Sequence, residues 1–412
     1  MEAPLQQGAG AAAGVTGGAA GAAPSGRRGS APGAVSAPRT PGAPAAPHSP
    51  GTRILAADVG AGTADLLLTR PGEPLENAVK LVVPSRTQVV AAQIAEATGR
   101  GQTVVFTGPT MGGGADGGAM KAHLAAGHAF VATEEAARTF TDDVDKVRAL
   151  GARVVGENTA AELLGRLPAG AYVHARSGDL DAAALRAALE LLGVEPRFDA
   201  VAVAVQDHGF SPHGSNRVFR FAFWQAAVDE GRLLGELFYD AADAPPDFTR
   251  LRAAATLAEE LAGGGPALVA DTGPAALYGA LPEGVSDAVL VNVGNGHTIC
   301  VVTLGGRLAG VFEHHTCRLD GPGLEQYLRR FLAGDLGSDE VRESGGHGAV
   351  LAAAAKAVDL TALPFFATGP RRALLAGSKL PLEYAAPHGD MMLSGCFGLL
   401  RAFAERGVTP DG

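Results

Sequence analysis

The chain has 412 residues, 47% hydrophobic and 18% charged, with a formal net charge of -10. That supplies core material for two substantial domains, and no basic region offsets the negative charge, which argues against nucleic acid as the main partner. Three widely spaced cysteines, Cys300, Cys317 and Cys396, give neither a disulfide framework nor a CxxC metal pair, so a cytoplasmic location is expected, and no apolar run reaches membrane-spanning length.

Residues 1–52 are rich in Gly, Ala and Pro, with no aromatic side chain. Such a segment buries too little apolar surface to offset its ordering entropy, and a disordered tail is expected. It lacks the compact Leu-rich stretch of a signal peptide. "RILAADVG" and "ADLLLTR" then read as two strands joined by a glycine turn. Gly60-Ala61-Gly62 opens like a dinucleotide-binding fingerprint. The third glycine is replaced by Asp65, and an apolar run follows where a helix is needed, so that reading is discarded. "NAVKLVVPS" is a third strand stopped by Pro84, and "RTQVVAAQIAEATG" is a helix ending at Gly99.

"QTVVFTG" reads as a buried strand leading into "PTMGGGADGGAMK". No Gly-Lys-Ser/Thr closes that glycine run, so it reads as a lid or substrate loop, not a P-loop. A helix is expected around "TEEAARTFTDDVDKVRALG", capped by Thr133. "ARSGDLDAA" caps the next helix, and "FDAVAVAVQDHG" is the most convincing buried strand of this half. Pro212–Gly265 reads as mainly helical, with Trp224 in its core.

"DAVLVNVGNGHTICVVTLGGRLAGVFEHHT" then reads as three strands joined by two glycine turns. "DVGAGTADLLLT" aligns without gaps on "NVGNGHTICVVT" at a constant offset of 234 positions (Asp58 to Asn292). This is an internal repeat at domain scale. A helix at "PGLEQYLRRFLAG", a helix around "AVLAAAAKAVDL", and a strand breaking at Gly369 follow, and a short helix, a strand and a closing helix complete the chain.

Two strand–turn–strand hairpins would face each other across a cleft. Gly60, Gly62, Gly294 and Gly296 let the backbone approach an anion, and successive N–H groups form a nest for phosphate oxygens. Thr63 and Thr298 can add hydroxyl donors. Asp58 and Asp65 place two carboxylates around the first turn, and Asp58 beside phosphates requires a cation between them, with Mg²⁺ the usual choice. His208, His213, His297, His314, His315 and His347 lack the close spacings of strong metal sites, and adjacent His314 and His315 point oppositely on a strand. Protein-held zinc or iron is therefore not the favoured reading.

The paired hairpins resemble the phosphate-1 and phosphate-2 loops of the actin/Hsp70/sugar-kinase superfamily, and "LPFFATGPRRALL" with the closing segment resembles its adenosine-binding region. The resemblance implies an α/β fold of two ribonuclease-H-like (actin-like ATPase) domains around a nucleotide cleft, over residues 53–275 and 276–412, preceded by the disordered tail. It also implies ATP and Mg²⁺ as ligands. Asp58 would direct the metal. Gly60, Gly62, Thr63 and Asp65 would contact nucleotide from the first loop; Asn292, Gly294, Asn295, Gly296, His297 and Thr298 from the second; Gly369 from the adenosine turn. Arg371 and Arg372 are candidates for stacking on a base or contacting phosphate.

More narrowly, "DVGAGTAD", "VAVQDHG", "DTGPAAL", "NVGNGHT", "FEHHT", "GGHGA" and "TGPRR" resemble an uncharacterised prokaryotic family of that superfamily. Some of its members carry the label "putative pyruvate formate-lyase activating enzyme". Such an activase needs three closely spaced cysteines for an iron–sulfur cluster, and this spacing does not supply them, so radical chemistry is not expected. The second loop of the superfamily usually begins with Asp, and here Asn292 stands there. Asp207 and His208, after the strand "AVAVQ", are the expected catalytic bases, with Gln206 as a water-positioning alternative and Asp207 or Asp320 as possible aids to the metal. The leading expectation is ATP-Mg binding with phosphoryl transfer or hydrolysis on an unidentified small-molecule acceptor. A non-catalytic nucleotide sensor or scaffold, suggested by Asn292, is the alternative. A histidine-based metal-dependent hydrolase is the third reading.

Overall fold

A computed structural model describes residues 51–410; the expected tail at residues 1–52 lies almost wholly outside them. The fold is α/β and is organised by two six-stranded mixed sheets. The first contains β1 (Ile54–Val59), β2 (Thr63–Leu68) and β3 (Val79–Pro84). Between β3 and the rest of this sheet the chain builds a separate parallel sheet from β4 (Thr103–Thr107), β5 (Phe130–Thr133), β6 (Arg153–Val155) and β7 (Tyr172–Arg176). It then returns with β8 (Ala200–Val205), β9 (Phe238–Asp240) and β10 (Ala267–Ala270). The second large sheet contains β11 (Ala288–Val293), β12 (His297–Leu304), β13 (Arg307–His315), β14 (Gly348–Leu351), β15 (Phe365–Thr368) and β16 (Leu382–Tyr384).

The strand orders are β3-β2-β1-β8-β10-β9 and β14-β13-β12-β11-β15-β16. In each, three consecutive antiparallel strands are continued by parallel strands beside the first. This is the ribonuclease-H-like arrangement, present twice. β1 and β11 begin and end at the same offset of 234 positions as the sequence repeat.

The alternation of a β-strand explains why these segments are continuously apolar. In β8, Ala200, Ala202 and Ala204 enter the core shared by the two large sheets, whereas Val201, Val203 and Val205 enter a core on the outer face. β11 repeats the division: Ala288 and Leu290 face the shared core, and Val289, Val291 and Val293 face the outer one. Helices Thr272–Ala280 and Ser394–Ala404 pack together in this shared core. Their approach needs glycine: a Cβ on Gly279 would sit 1.8 Å from the Ser394 carbonyl oxygen, and one on Gly398 2.0 Å from that of Ala275.

Several local expectations change. The stretch after Thr133 forms two short helices, Glu134–Ala137 and Val144–Ala149, and the Thr133 hydroxyl makes no capping hydrogen bond. Half of the glycine-rich lid candidate is the helix Ala115–Ala125, packed on helix Arg86–Gly99. The Ala-rich stretch at Ala349–Leu360 starts as strand β14, paired with β13, and continues as a short 3-10 turn. There the edge of the second sheet captures residues whose own propensity favours helix.

Candidate functional site

Each hairpin turn is closed by the same backbone bonds. Gly60 N donates to the Thr63 carbonyl at 2.9 Å, and Gly294 N to the His297 carbonyl at 2.9 Å. The Gly62 carbonyl accepts from Ser85 N just after β3 (3.1 Å), and the Gly296 carbonyl from Thr316 N just after β13 (2.9 Å). The two turns meet tip to tip. A Cβ on Gly62 would lie 2.7 Å from Asn295 Nδ2, and one on Gly296 3.3 Å from Ala61 Cβ. Glycine at these equivalent positions is what allows the hairpins to approach.

A cavity of about 80 Å³ lies between the hairpins. Asp58, Gly60, Thr63 and Asp65 line it from the first; Asn292, Gly294, Asn295, Gly296 and His297 line it from the second; Gly369 closes one side. Thr298 is the exception among the expected contacts. It is fully buried, and its hydroxyl shares a 3.0 Å hydrogen bond with Thr316. Strand alternation turns Thr298 to the opposite face from His297, and His297 is the residue equivalent to Thr63.

Asp58 and Asp65 are direct cross-strand partners on β1 and β2. Thr272 donates its hydroxyl proton to Asp58 Oδ1, while Asp65 Oδ1 is buried with no hydrogen-bond partner. Burial, reinforced by the Asp65 carboxylate, pushes Asp58 up to about 8. Burial likewise raises Asp65 to about 7. Two carboxylates in this setting retain protons or require a cation. Asn292 occupies the place of Asp58 in the second hairpin. The turn at Gly369, where φ is +99°, wraps over it, and a Cβ there would meet Asn292 Oδ1 at 2.4 Å.

Asp207 and His208 follow β8, but their surroundings differ. Asp207 Oδ1 accepts from Gly209 N (2.8 Å) and Oδ2 from Leu251 N (2.9 Å), so both oxygens brace the turn against helix Thr249–Ala262. Burial raises its pKa despite these bonds. Asp320 caps helix Gly321–Leu332 through Gly323 N at 2.8 Å and does not line the cavity. Arg371 and Arg372 also lie off the cavity wall.

His208 lies among imidazoles that sequence spacing did not bring together. Its ring stacks on His347 with centroids 4.9 Å apart, and meets the edge of His297 at 5.4 Å. Donor atoms of His208, His297, Glu313 and His347 all lie within 4.8 Å of one another. His315 packs beside His297 and His347, with centroids at 4.5 and 4.7 Å. His213 is exposed, and His314 turns away to Ser344. The helix Asn216–Asp229, from the first half, lies against β13 and β14 and explains how Arg220 reaches this region. Arg220 donates to Glu313 Oε2 at 2.6 Å and to both oxygens of Asp271, and Gln206 donates to Glu313 Oε1 at 3.0 Å.

A second cavity, of about 330 Å³, separates the first hairpin from the β4–β7 insert. The expected lid contributes Thr110–Gly113 to its wall, and Arg250, paired with Asp179 at 2.7 Å, lies beside them. Gly60, Ala61, Gln206 and His297 line both cavities. The three cysteines are dispersed: Cys300 and Cys396 are buried in different cores, and Cys317 is exposed.

Two solved structures are similar to the chain at low identity. The ethanolamine utilization protein EutJ from Carboxydothermus hydrogenoformans is 13% identical, with 86% of this chain and 90% of that one covered and a TM-score of 0.30. MreB5 of Spiroplasma citri bound to ADP is 9% identical, with 86% and 96% covered and a TM-score of 0.30. No curated protein matches the sequence. Residues 111–374 match the family described as "Putative pyruvate format-lyase activating enzyme (DUF1786)". That match spans more than half of the chain, and the protein belongs to this family.

Proposed function

We propose that the cleft between the hairpins binds the phosphates of ATP with Mg²⁺. The observation that carries this reading is the duplicated turn, closed twice by equivalent backbone bonds and lining one cavity from both sides. Backbone N–H groups at such turns suit phosphate oxygens. Asp58 and Asp65 suit the cation: they form a buried carboxylate pair, and one oxygen has no partner. Mg²⁺ held there would offset phosphate charge. The cavity of about 80 Å³ suits phosphate groups held between the turns. The larger cavity adjoins the same turn and suits the acceptor of a phosphoryl group.

A second reading, nucleotide sensing without rapid turnover, has support of its own. Asp207, the expected base, already spends both oxygens on backbone N–H groups, and Asn292 brings no charge to the second turn. The label attached to the family implies an iron–sulfur cluster, and the dispersed cysteines do not fit one. No step is assigned through it.

Titration calorimetry of ATP and ADP, with and without Mg²⁺, tests the proposal. Mg²⁺-dependent heat that weakens in Asp58→Asn supports it; absence of both heat and thermal stabilisation sinks it. Phosphate release in the presence of candidate acceptors separates transfer from sensing.

A further inference from the structure

We propose that His208, His297, Glu313 and His347 hold a divalent transition-metal ion, zinc or ferrous iron, at a site distinct from the Mg²⁺ site. The donor set is three imidazoles and a carboxylate, which suits those ions better than calcium or magnesium. Its four donor atoms lie within 4.8 Å of one another. Neighbouring donors around a tetrahedral zinc stand about 3.4 Å apart, so side-chain adjustments of about 1 Å complete the shell.

The imidazoles themselves call for a ligand. Five of their ring nitrogens are buried without a hydrogen-bond partner: His208 Nε2 and both nitrogens of His297 and His347. His347 is only 2% exposed. A neutral imidazole carries one donor and one acceptor, and leaving such atoms buried and unpaired is destabilising. Neutral imidazole is the form that binds metal.

The surroundings have the form of a supporting shell. Arg220 and Gln206 fix the Glu313 carboxylate, and Asp271 in turn holds Arg220. One guanidinium against two carboxylates leaves a single local negative charge, which a divalent cation reverses without a large excess. A carboxylate that accepts from Arg220 and Gln206 keeps lone pairs for a metal. His208 lines the larger cavity, Glu313 the smaller and His297 both, so the ion is reachable from the cleft.

The donors also come from both halves of the molecule. His208 follows β8 of the first large sheet, while His297, Glu313 and His347 belong to β12, β13 and the approach to β14. The ion would tie one half to the other beside the second hairpin turn.

The test uses the full-length protein, stripped with a chelator and titrated with Zn²⁺, Fe²⁺ and the spectroscopic probe Co²⁺. One ion per chain is expected. Loss of an outer-shell partner typically costs roughly 10–100-fold in affinity, so His347→Ala should weaken binding by about 100-fold or more. Exposed His213→Ala should leave binding unchanged. X-ray absorption of the wild-type holoprotein should count three imidazoles per metal, a readout that does not depend on any variant folding. Absence of binding, equal binding in His347→Ala and wild type, or fewer than two imidazoles at the metal overturns the proposal. His347 lines neither cavity, so calorimetry of His347→Ala with Mg²⁺ and nucleotide reads the other site separately.

Discussion

The first hairpin and the second share a backbone and differ in chemistry. Both turns close through the same N–H bonds, and the strands around them coincide at one constant offset. Yet the positions that face the cleft carry Asp58, Thr63 and Asp65 on one side and Asn292, His297 and Ile299 on the other. The repeat thus keeps the main chain of the turn while its side chains differ, with carboxylates on one hairpin and an imidazole on the other. On the proposed reading, the cation is directed by the first half and the ion held through nitrogen belongs mainly to the second.

Arg220 is where the two halves are held in register, because it pairs with Asp271 of the first and Glu313 of the second. Its removal should give the largest effect on stability. Arg220→Ala leaves two carboxylates without their cation, one fully buried, and breaking a buried pair in this way costs about 3–5 kcal/mol. Urea unfolding of the variant measures it, and a loss under 1 kcal/mol, on the order of an exposed pair, would show that the network does not join the halves.

The next effect separates the hairpins directly. Asp58→Asn keeps an acceptor for Thr272 but removes the charge, and Mg²⁺-nucleotide affinity should fall by about 100-fold, equivalent to ~2.7 kcal/mol. Asn292→Asp, the reciprocal change at the equivalent position, should alter affinity far less if the carboxylate pair is the cation site. Equal effects in calorimetry would mean that the hairpins are chemically interchangeable.

The strands of this comparison were legible in the sequence for a physical reason. β1, β8 and β11 are buried on both faces, so they read as continuous apolar runs, and a glycine turn marks where β1 and β11 end. The histidine cluster was not legible, because His208, His297, Glu313 and His347 meet only through strand pairing and long-range packing. Glu313 in particular gave no local signal; its place follows from its register opposite Ile299. Thr298 was misplaced by one residue of alternation, and the Ala-rich stretch at β14 by an edge that overrides propensity. Of the β4–β7 insert only β4 was legible as a strand, because β5, β6 and β7 span three to five residues each, too few for a period to show.

A pH dependence sharpens the contrast further. Asp58 and Asp65 keep their protons to about pH 8 and 7 in the folded chain, whereas unfolded carboxyls release theirs near pH 4. Between these limits the folded state binds more protons, so stability falls as pH rises. The buried imidazoles act oppositely: folding lowers their pKa, and stability rises with pH until unfolded histidine is neutral, near pH 7. From about pH 7 to 8 the carboxylate of Asp58 dominates, with a slope of at most about 1.4 kcal/mol per pH unit. Thermal melts across that interval should decline for the wild type and flatten in Asp58→Asn. An unchanged slope in the variant would remove the first hairpin as its origin.

The smallest effect comes from two threonines that the repeat made look alike. Thr63 lines the cleft, whereas Thr298 is fully buried and shares its hydroxyl bond with Thr316 on the far face of β12. Thr298→Val keeps the shape but leaves the Thr316 hydroxyl without that partner, so stability should drop by about 1 kcal/mol while nucleotide affinity stays constant. Thr63→Val should show the reverse, a loss of affinity with little loss of stability. The pair of variants reads the register of the two hairpins without changing formal charge. If both changes act on affinity alone, Thr298 faces the cleft, and the alternation that makes His297 the equivalent of Thr63 is wrong.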